Sequence, residues 1–107
     1  MDEINIQSLR NLCNDDTIIL TQHMFNRMGE RNIEYNDIKS CILTGEIIEQ
    51  YPTDYPFPSC LVLGKTESGK PIHVNVGLGN GAIYFITAYF PDLIKWEKGY
   101  KIRKGNK

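Results

Sequence analysis

The stretch CLVLGKTESGKPIHVNVGLGNGAIYFITAYF, residues 60–90, decides the fold of this chain. Three runs within it are rich in β-branched and aromatic residues and have the period of two that is typical of strands: 60–66, 71–78 and 82–90. The two short turns between these runs contain the Gly and Asn that tight hairpins need. The sequence therefore predicts three consecutive antiparallel strands.

Upstream of this stretch, the apolar spacing changes to the 3.6-residue period of helices. A first helix is predicted over 4–13, and Thr21 is a good N-cap for a second helix that ends at residue 31. A third helix is predicted over 35–43, with Glu34 as its cap.

Two further segments complete the expected architecture. Residues 17–20 are β-branched but too few for a helix, so we expect a short strand or an extended segment. Residues 47–51 predict one more strand, followed by a proline-rich loop over 52–58. The expected fold is α+β, with two to three N-terminal helices packed on one face of a four-stranded antiparallel meander sheet.

Length and composition are typical of one globular domain, with 107 residues, 41% hydrophobic and 23% charged. No apolar run reaches the roughly 20 residues that cross a bilayer, and the N-terminus lacks the apolar segment of a secretory signal. Three widely spaced cysteines fit neither a disulfide framework nor a zinc site, and buried thiols are the simpler interpretation. We therefore expect a single cytoplasmic domain, 1–107, with no membrane contact, no metal and no cofactor.

The charge is unevenly distributed along the chain. The net charge is −1, but residues 91–107 contain six Lys and Arg against two acidic residues. We expect a core of about residues 17–92 and a basic tail, 93–107, with one helical turn before it frays. Such a tail favours a polyanion or an acidic protein as partner.

A basic stripe on the second predicted helix is the first candidate site. His23, Arg27 and Arg31 are spaced by four, so they lie along one side of the helix. Either this is a solvated side with salt bridges to Glu46, Glu49 or Asp54, or it binds an anion such as phosphate.

A polar cluster on the predicted sheet is the second candidate. Alternation places His73 and Asn75 on one face of their strand, and Thr87 and Tyr89 fall together near the end of the last strand. The cluster is either structural or part of a site. The aromatic and proline-rich loop at 51–59 either stacks nucleic-acid bases or covers the end of the core.

Several short motifs of this chain resemble one bacterial family. They are TQH at 21–23, RM and ER at 27–31, GEIIEQYP at 45–52, PSCLVLG at 58–64, PIHV at 71–74 and ITAY at 86–89. Over about residues 20–92 the chain resembles the domain of unknown function numbered 4258. That family is itself similar to the RelE-like toxins, which are compact α+β domains that cleave RNA without a metal.

The resemblance implies the toxin of a type II toxin–antitoxin pair, acting as an endoribonuclease or translation inhibitor. The implied partners are RNA, including ribosome-bound mRNA, and a cognate antitoxin. The implied catalytic residues are His23, Arg27, Arg31, His73, Thr87 and Tyr89. We add four substrate-binding candidates: Tyr51, Tyr55, Ser59 and Lys65.

Metal-free RNA cleavage gives these residues chemical roles. A histidine with a pKa of about 6.5 suits proton transfer near neutrality, and we assign His73 or His23 as acid and base. Arg27 and Arg31 would stabilise the phosphate as negative charge develops. Two competing hypotheses are a non-catalytic anion-binding module that uses the stripe, and a protein whose sheet edge accepts a strand from a partner.

Overall fold

The structure, a computed structural model, describes residues 3–105 as three helices and five strands. The helices are α1 Ile6–Asn11, α2 Gln22–Arg31 and α3 Tyr35–Thr44. The strands are β1 Ile18–Leu20, β2 Glu46–Tyr51, β3 Ser59–Lys65, β4 Pro71–Gly79 and β5 Ala82–Tyr89. The α+β class and the three helices agree with the prediction from sequence.

The sheet differs from the expected four-stranded meander. Its order is β1-β5-β4-β3-β2, and the antiparallel part formed by β2 to β5 agrees with the prediction. The additional strand is β1, which pairs in parallel with β5 and places Ile18 beside Ile83. A three-residue strand has no pattern strong enough to reveal its partner, so this pairing is decided by the tertiary fold.

Local sequence signals set the ends of α2 and α3. The side chain of Thr21 accepts a hydrogen bond from the Met24 backbone N–H at 3.1 Å, as an N-cap does. Asn32 ends α2 in the left-handed conformation, with φ of 56°. The backbone N–H of Glu34 donates to Asp37 at 3.1 Å, which fixes the start of α3.

The hydrophobic core lies between the helices and one face of the sheet. Met24 from α2 and Ile38 from α3 are fully buried there against Val74 and Phe85. Contact between α3 and β3 is close, because a Cβ atom on Gly64 would overlap the backbone of Cys41. Burial raises the pKa of the Cys41 and Cys60 thiols to about 12, so both behave as core residues.

The C-terminal segment covers part of the opposite face of the sheet. Residues 92–104 form a C-terminal hairpin with an antiparallel bridge between Trp96 and Arg103. The Lys104 backbone N–H donates to Lys95 at 2.8 Å. The Trp96 backbone N–H donates to the Asp92 carbonyl at 3.2 Å, which agrees with the predicted turn over 93–96. The fraying predicted after that turn is wrong for residues 97–105, and residues 106–107 lie outside the described residues. Trp96 is only 2% exposed, and the burial of its side chain explains why the C-terminal hairpin is held against the sheet.

Candidate functional site

A basic cleft forms where the end of β5 meets the end of α2 and the C-terminal hairpin. Its volume is about 610 Å³, and its lining includes three cationic side chains and one carboxylate: Arg31, Lys95, Arg103 and Asp92. Tyr89 and Trp96 form part of its wall. Because cations outnumber carboxylates and the cleft is open, its chemistry favours an anionic ligand.

The wall of the cleft is formed by Tyr89, behind which His73 is completely buried. The two residues are directly opposite in the β4–β5 register. The Nδ1 atom of His73 lies 3.1 Å from the phenolic oxygen of Tyr89, and its Nε2 atom lies 2.8 Å from the carbonyl oxygen of Tyr100. Burial lowers the pKa of His73 below its ordinary value of 6.5, so the ring is neutral at neutral pH.

A charged network joins the C-terminal hairpin to β2. Arg103 donates to both carboxylate oxygens of Glu49, at 2.9 and 3.0 Å, and its guanidinium lies 4.6 Å from the ring centre of Trp96. The hydrogen bond from Arg103 is the main cause of the lowered pKa of Glu49. The Tyr51 hydroxyl also donates to Glu49, so this predicted substrate-binding group is engaged within the protein.

The structure does not keep the predicted basic stripe together as one site. Arg31 reaches the cleft and donates to the carbonyl of Ala88 at 2.7 Å, which anchors it to β5. Arg27 instead pairs with Glu30 at 2.7 Å, and His23 is exposed about 12 Å from Arg31 along the helix axis.

The acidic partners expected for that stripe are wrong. Glu46 pairs with Lys101 at 3.0 Å, and Glu49 pairs with Arg103. The Asp54 carboxylate accepts a hydrogen bond from Ser59 at 2.6 Å. Because the hairpin folds onto β2, Lys101 and Arg103 pair with two of the carboxylates that the sequence analysis had assigned to the basic stripe of α2.

The four predicted substrate-binding residues do not meet in one place. Ser59 is buried and Lys65 exposed at opposite ends of β3, about 20 Å apart. Tyr55 is 91% exposed in the loop that follows β2. In that loop Phe57 stacks on Tyr84 with ring centres 5.1 Å apart, which agrees with the covering role. The remaining catalytic candidate, Thr87, lies opposite Asn75, two register positions from the His73–Tyr89 pair.

Sequence reasoning missed the contribution of the C-terminal hairpin to the site. Lys95, Trp96 and Arg103 line the cleft, and the backbone of Tyr100 binds His73. The excess of Lys and Arg in the tail and the single tryptophan of the chain were the available signals. Neither signal shows which face of the sheet the tail covers.

Within residues 3–105, no group of three or more His, Cys, Asp or Glu side chains is placed to hold a metal ion. No helix in that range is long and apolar enough to pass through a membrane.

A family model described as "Domain of unknown function (DUF4258)" matches residues 20–90. The chain belongs to this family. The matched region runs from the end of β1 through β5 and includes Arg31, His73 and Tyr89, whereas the C-terminal hairpin follows it. No curated protein matches the chain, and no solved structure does. The cleft therefore combines side chains of the DUF4258 region with side chains that lie beyond it.

Proposed function

We propose that this chain binds single-stranded RNA in the basic cleft and cleaves it without a metal ion, as the toxin of a toxin–antitoxin pair. One observation carries the proposal: Tyr89, whose hydroxyl is hydrogen-bonded to the buried His73, lines a cleft with three cations. The proposal also takes the α+β fold to be RelE-like, the antitoxin to be the protein partner and the cytoplasm to be the compartment.

The cations of the cleft have different capacities for phosphate. Arg31 uses one guanidinium nitrogen on the Ala88 carbonyl, and its remaining N–H groups are available to a phosphate. Lys95 is exposed. Arg103 is already neutralised by Glu49, so we assign it a supporting role. Arg31 and Lys95 are therefore the proposed phosphate clamp, which would stabilise the charge that develops on phosphoryl oxygens.

The reacting 2′-hydroxyl is proposed to lie at Tyr89. Tyr89 is among the residues that line the cleft, whereas the buried His73 cannot touch a ligand itself. His23 and Arg27 lie outside the cleft lining, so we transfer the proposed chemistry from the α2 stripe to Tyr89, Arg31 and Lys95.

The test is cleavage of a labelled single-stranded RNA by the purified chain in the presence of EDTA. Arg31→Gln is compared with Arg27→Gln, which removes the same charge one turn earlier on the same helix. A charged hydrogen bond to phosphate is worth roughly 1.5–3 kcal/mol, so Arg31→Gln should reduce kcat/KM by about tenfold to hundredfold. Arg27→Gln should stay within about twofold of wild type.

Inducible expression in bacteria tests the toxin role separately. Growth arrest by wild type that is relieved by the folded Arg31→Gln protein would support it. Absence of RNA cleavage by folded wild-type protein, or equal activity of the two arginine variants, would overturn the proposed site.

A non-catalytic anion-binding module is the second candidate. The burial of His73 favours it, because a histidine without surface cannot exchange protons directly with a ligand. Such a module would bind an RNA oligonucleotide or another polyanion through Arg31 and Lys95 and leave it intact. Fluorescence anisotropy with the same labelled RNA separates the two functions, since it measures binding whether or not cleavage follows.

A further inference from the structure

The two nitrogen atoms of His73 have chemically different partners. Nε2 faces the carbonyl oxygen of Tyr100 at 2.8 Å, and Nδ1 faces the hydroxyl of Tyr89 at 3.1 Å. A carbonyl oxygen can only accept a hydrogen bond, so Nε2 must carry the proton and donate it to Tyr100. In a neutral ring the Nδ1 atom then has a lone pair, and it accepts the phenolic proton of Tyr89.

We propose that His73 is a positioning residue that holds the phenolic proton of Tyr89, so that the oxygen of Tyr89 presents its lone pairs to the cleft as a proton acceptor. This inference rests on the proposed function, because the proton it accepts is that of the attacking 2′-hydroxyl. It also gives the C-terminal hairpin a chemical role, since the Tyr100 carbonyl selects the tautomer of His73.

The proton transfers balance in the following way. The ribose 2′-oxygen forms a bond to phosphorus as its proton passes to Tyr89, and the phenolic proton of Tyr89 passes to Nδ1 of His73. The bond from phosphorus to the 5′-oxygen breaks, and that oxygen takes a proton from a solvent water in the open cleft. The hydroxide so formed takes back the proton of the imidazolium through Tyr89, which leaves a 2′,3′-cyclic phosphate and a free 5′-hydroxyl.

Charged groups on three elements face this pair. Glu49 on β2 favours the imidazolium that forms during transfer, and Arg103 on the hairpin opposes it. Arg31 on α2 favours an ionised Tyr89. On β3 the residue opposite His73 is Leu63, which carries no charge. The Trp96 ring packs edge-on against His73 with ring centres 4.4 Å apart, which helps to keep solvent from the imidazole.

Nitrogen-15 NMR of the ligand-free protein tests the tautomer without any RNA. The chain has two histidines, so a His23→Asn variant leaves His73 as the single imidazole signal. At neutral pH we expect a protonated Nε2 and an unprotonated Nδ1, and Tyr89→Phe should shift the Nδ1 resonance. A ring protonated at Nδ1, or an imidazolium at neutral pH, would overturn the inference.

Cleavage kinetics test the role in catalysis. Tyr89→Phe should reduce kcat by about 10²- to 10⁴-fold, as loss of a general base does. His73→Gln should cause a similar loss, and the double variant should be no worse than either single one, because the two groups act as a unit. Tyr84→Phe is the matched control on β5, since no hydrogen bond to its hydroxyl is found among residues 3–105.

The pH profile distinguishes this role from a structural one. In wild type, kcat/KM should fall on the acid side with a pKa below 6.5, and His73→Gln should remove that limb while thermal unfolding shows it folded. Additive losses in the double variant, or an unchanged acid limb, would overturn the inference. The expected tautomer together with no RNA cleavage would instead uphold the hydrogen-bonded pair and overturn the proposed function.

Discussion

Trp96→Ala should release the C-terminal hairpin from the sheet without unfolding the rest of the chain. Trp96 is 2% exposed and packs against His73. A buried aromatic removes about 150–250 Å² from water, which at about 25 cal/mol/Å² gives about 4–6 kcal/mol. Truncation of a buried Trp costs about 3–5 kcal/mol in other proteins, which is consistent with that range.

The contacts that remain cannot compensate for this loss. The hydrogen bond from His73 to the Tyr100 carbonyl and two ion pairs, Arg103 with Glu49 and Lys101 with Glu46, also hold the hairpin. Such a hydrogen bond contributes about 0.5–1.5 kcal/mol, and ion pairs of this kind contribute about 0–1 kcal/mol each. The calculated loss exceeds their sum, so the hairpin should open locally while α2, α3 and the helix side of the sheet stay folded.

Hydrogen exchange measures the opening directly. The amide of Lys104, which donates to Lys95 at 2.8 Å in the hairpin, should lose its protection in Trp96→Ala. Amides of β4 paired with β3 should keep theirs. The pKa of His73 should rise toward its ordinary value, because opening removes the burial that lowers it. Unchanged protection at Lys104 would refute this account of how the tail is held.

Three further predictions concern packing, pH and thiol reactivity. Gly64→Ala should lower the free energy of unfolding in urea by about 1–3 kcal/mol, because a Cβ atom there overlaps α3. The control Gly29→Ala, at an exposed position in α2, should raise it by about 0.5–1 kcal/mol. Equal effects of the two variants would contradict the packing argument. Folding lowers the pKa of His73, so the unfolded chain binds more protons than the folded chain between the two pKa values. The free energy of unfolding should therefore fall as the pH drops from 6.5 toward the folded pKa. His73→Gln should reduce this dependence of stability on pH. In native protein at pH 8, iodoacetamide should modify the half-exposed Cys13 faster than the two core thiols, Cys41 and Cys60. Denaturant should make all three thiols react. Equal rates in the native protein would show that the core opens readily.

Sequence patterns were sufficient where the signal is local. The period of two in residues 60–90 predicted β3, β4 and β5, and the cap at Thr21 predicted where α2 begins. Each of these signals involves residues a few positions apart, whose spacing directly reflects strand or helix geometry. The strand β1 could be proposed but not paired, because its partner β5 lies more than sixty residues away.

For the candidate site, the sequence by itself determined which residue types are available and that His73 and Tyr89 belong to strands whose ends come together. The tertiary structure decided that His73 is buried behind Tyr89, that Arg31 joins them, and that His23 and Arg27 do not. It also decided that the basic tail completes the cleft through Lys95 and other hairpin residues. The physical reason is that periodicity fixes only the face of each element, whereas burial and charge pairing depend on contacts such as Arg103 with Glu49, which are 54 positions apart.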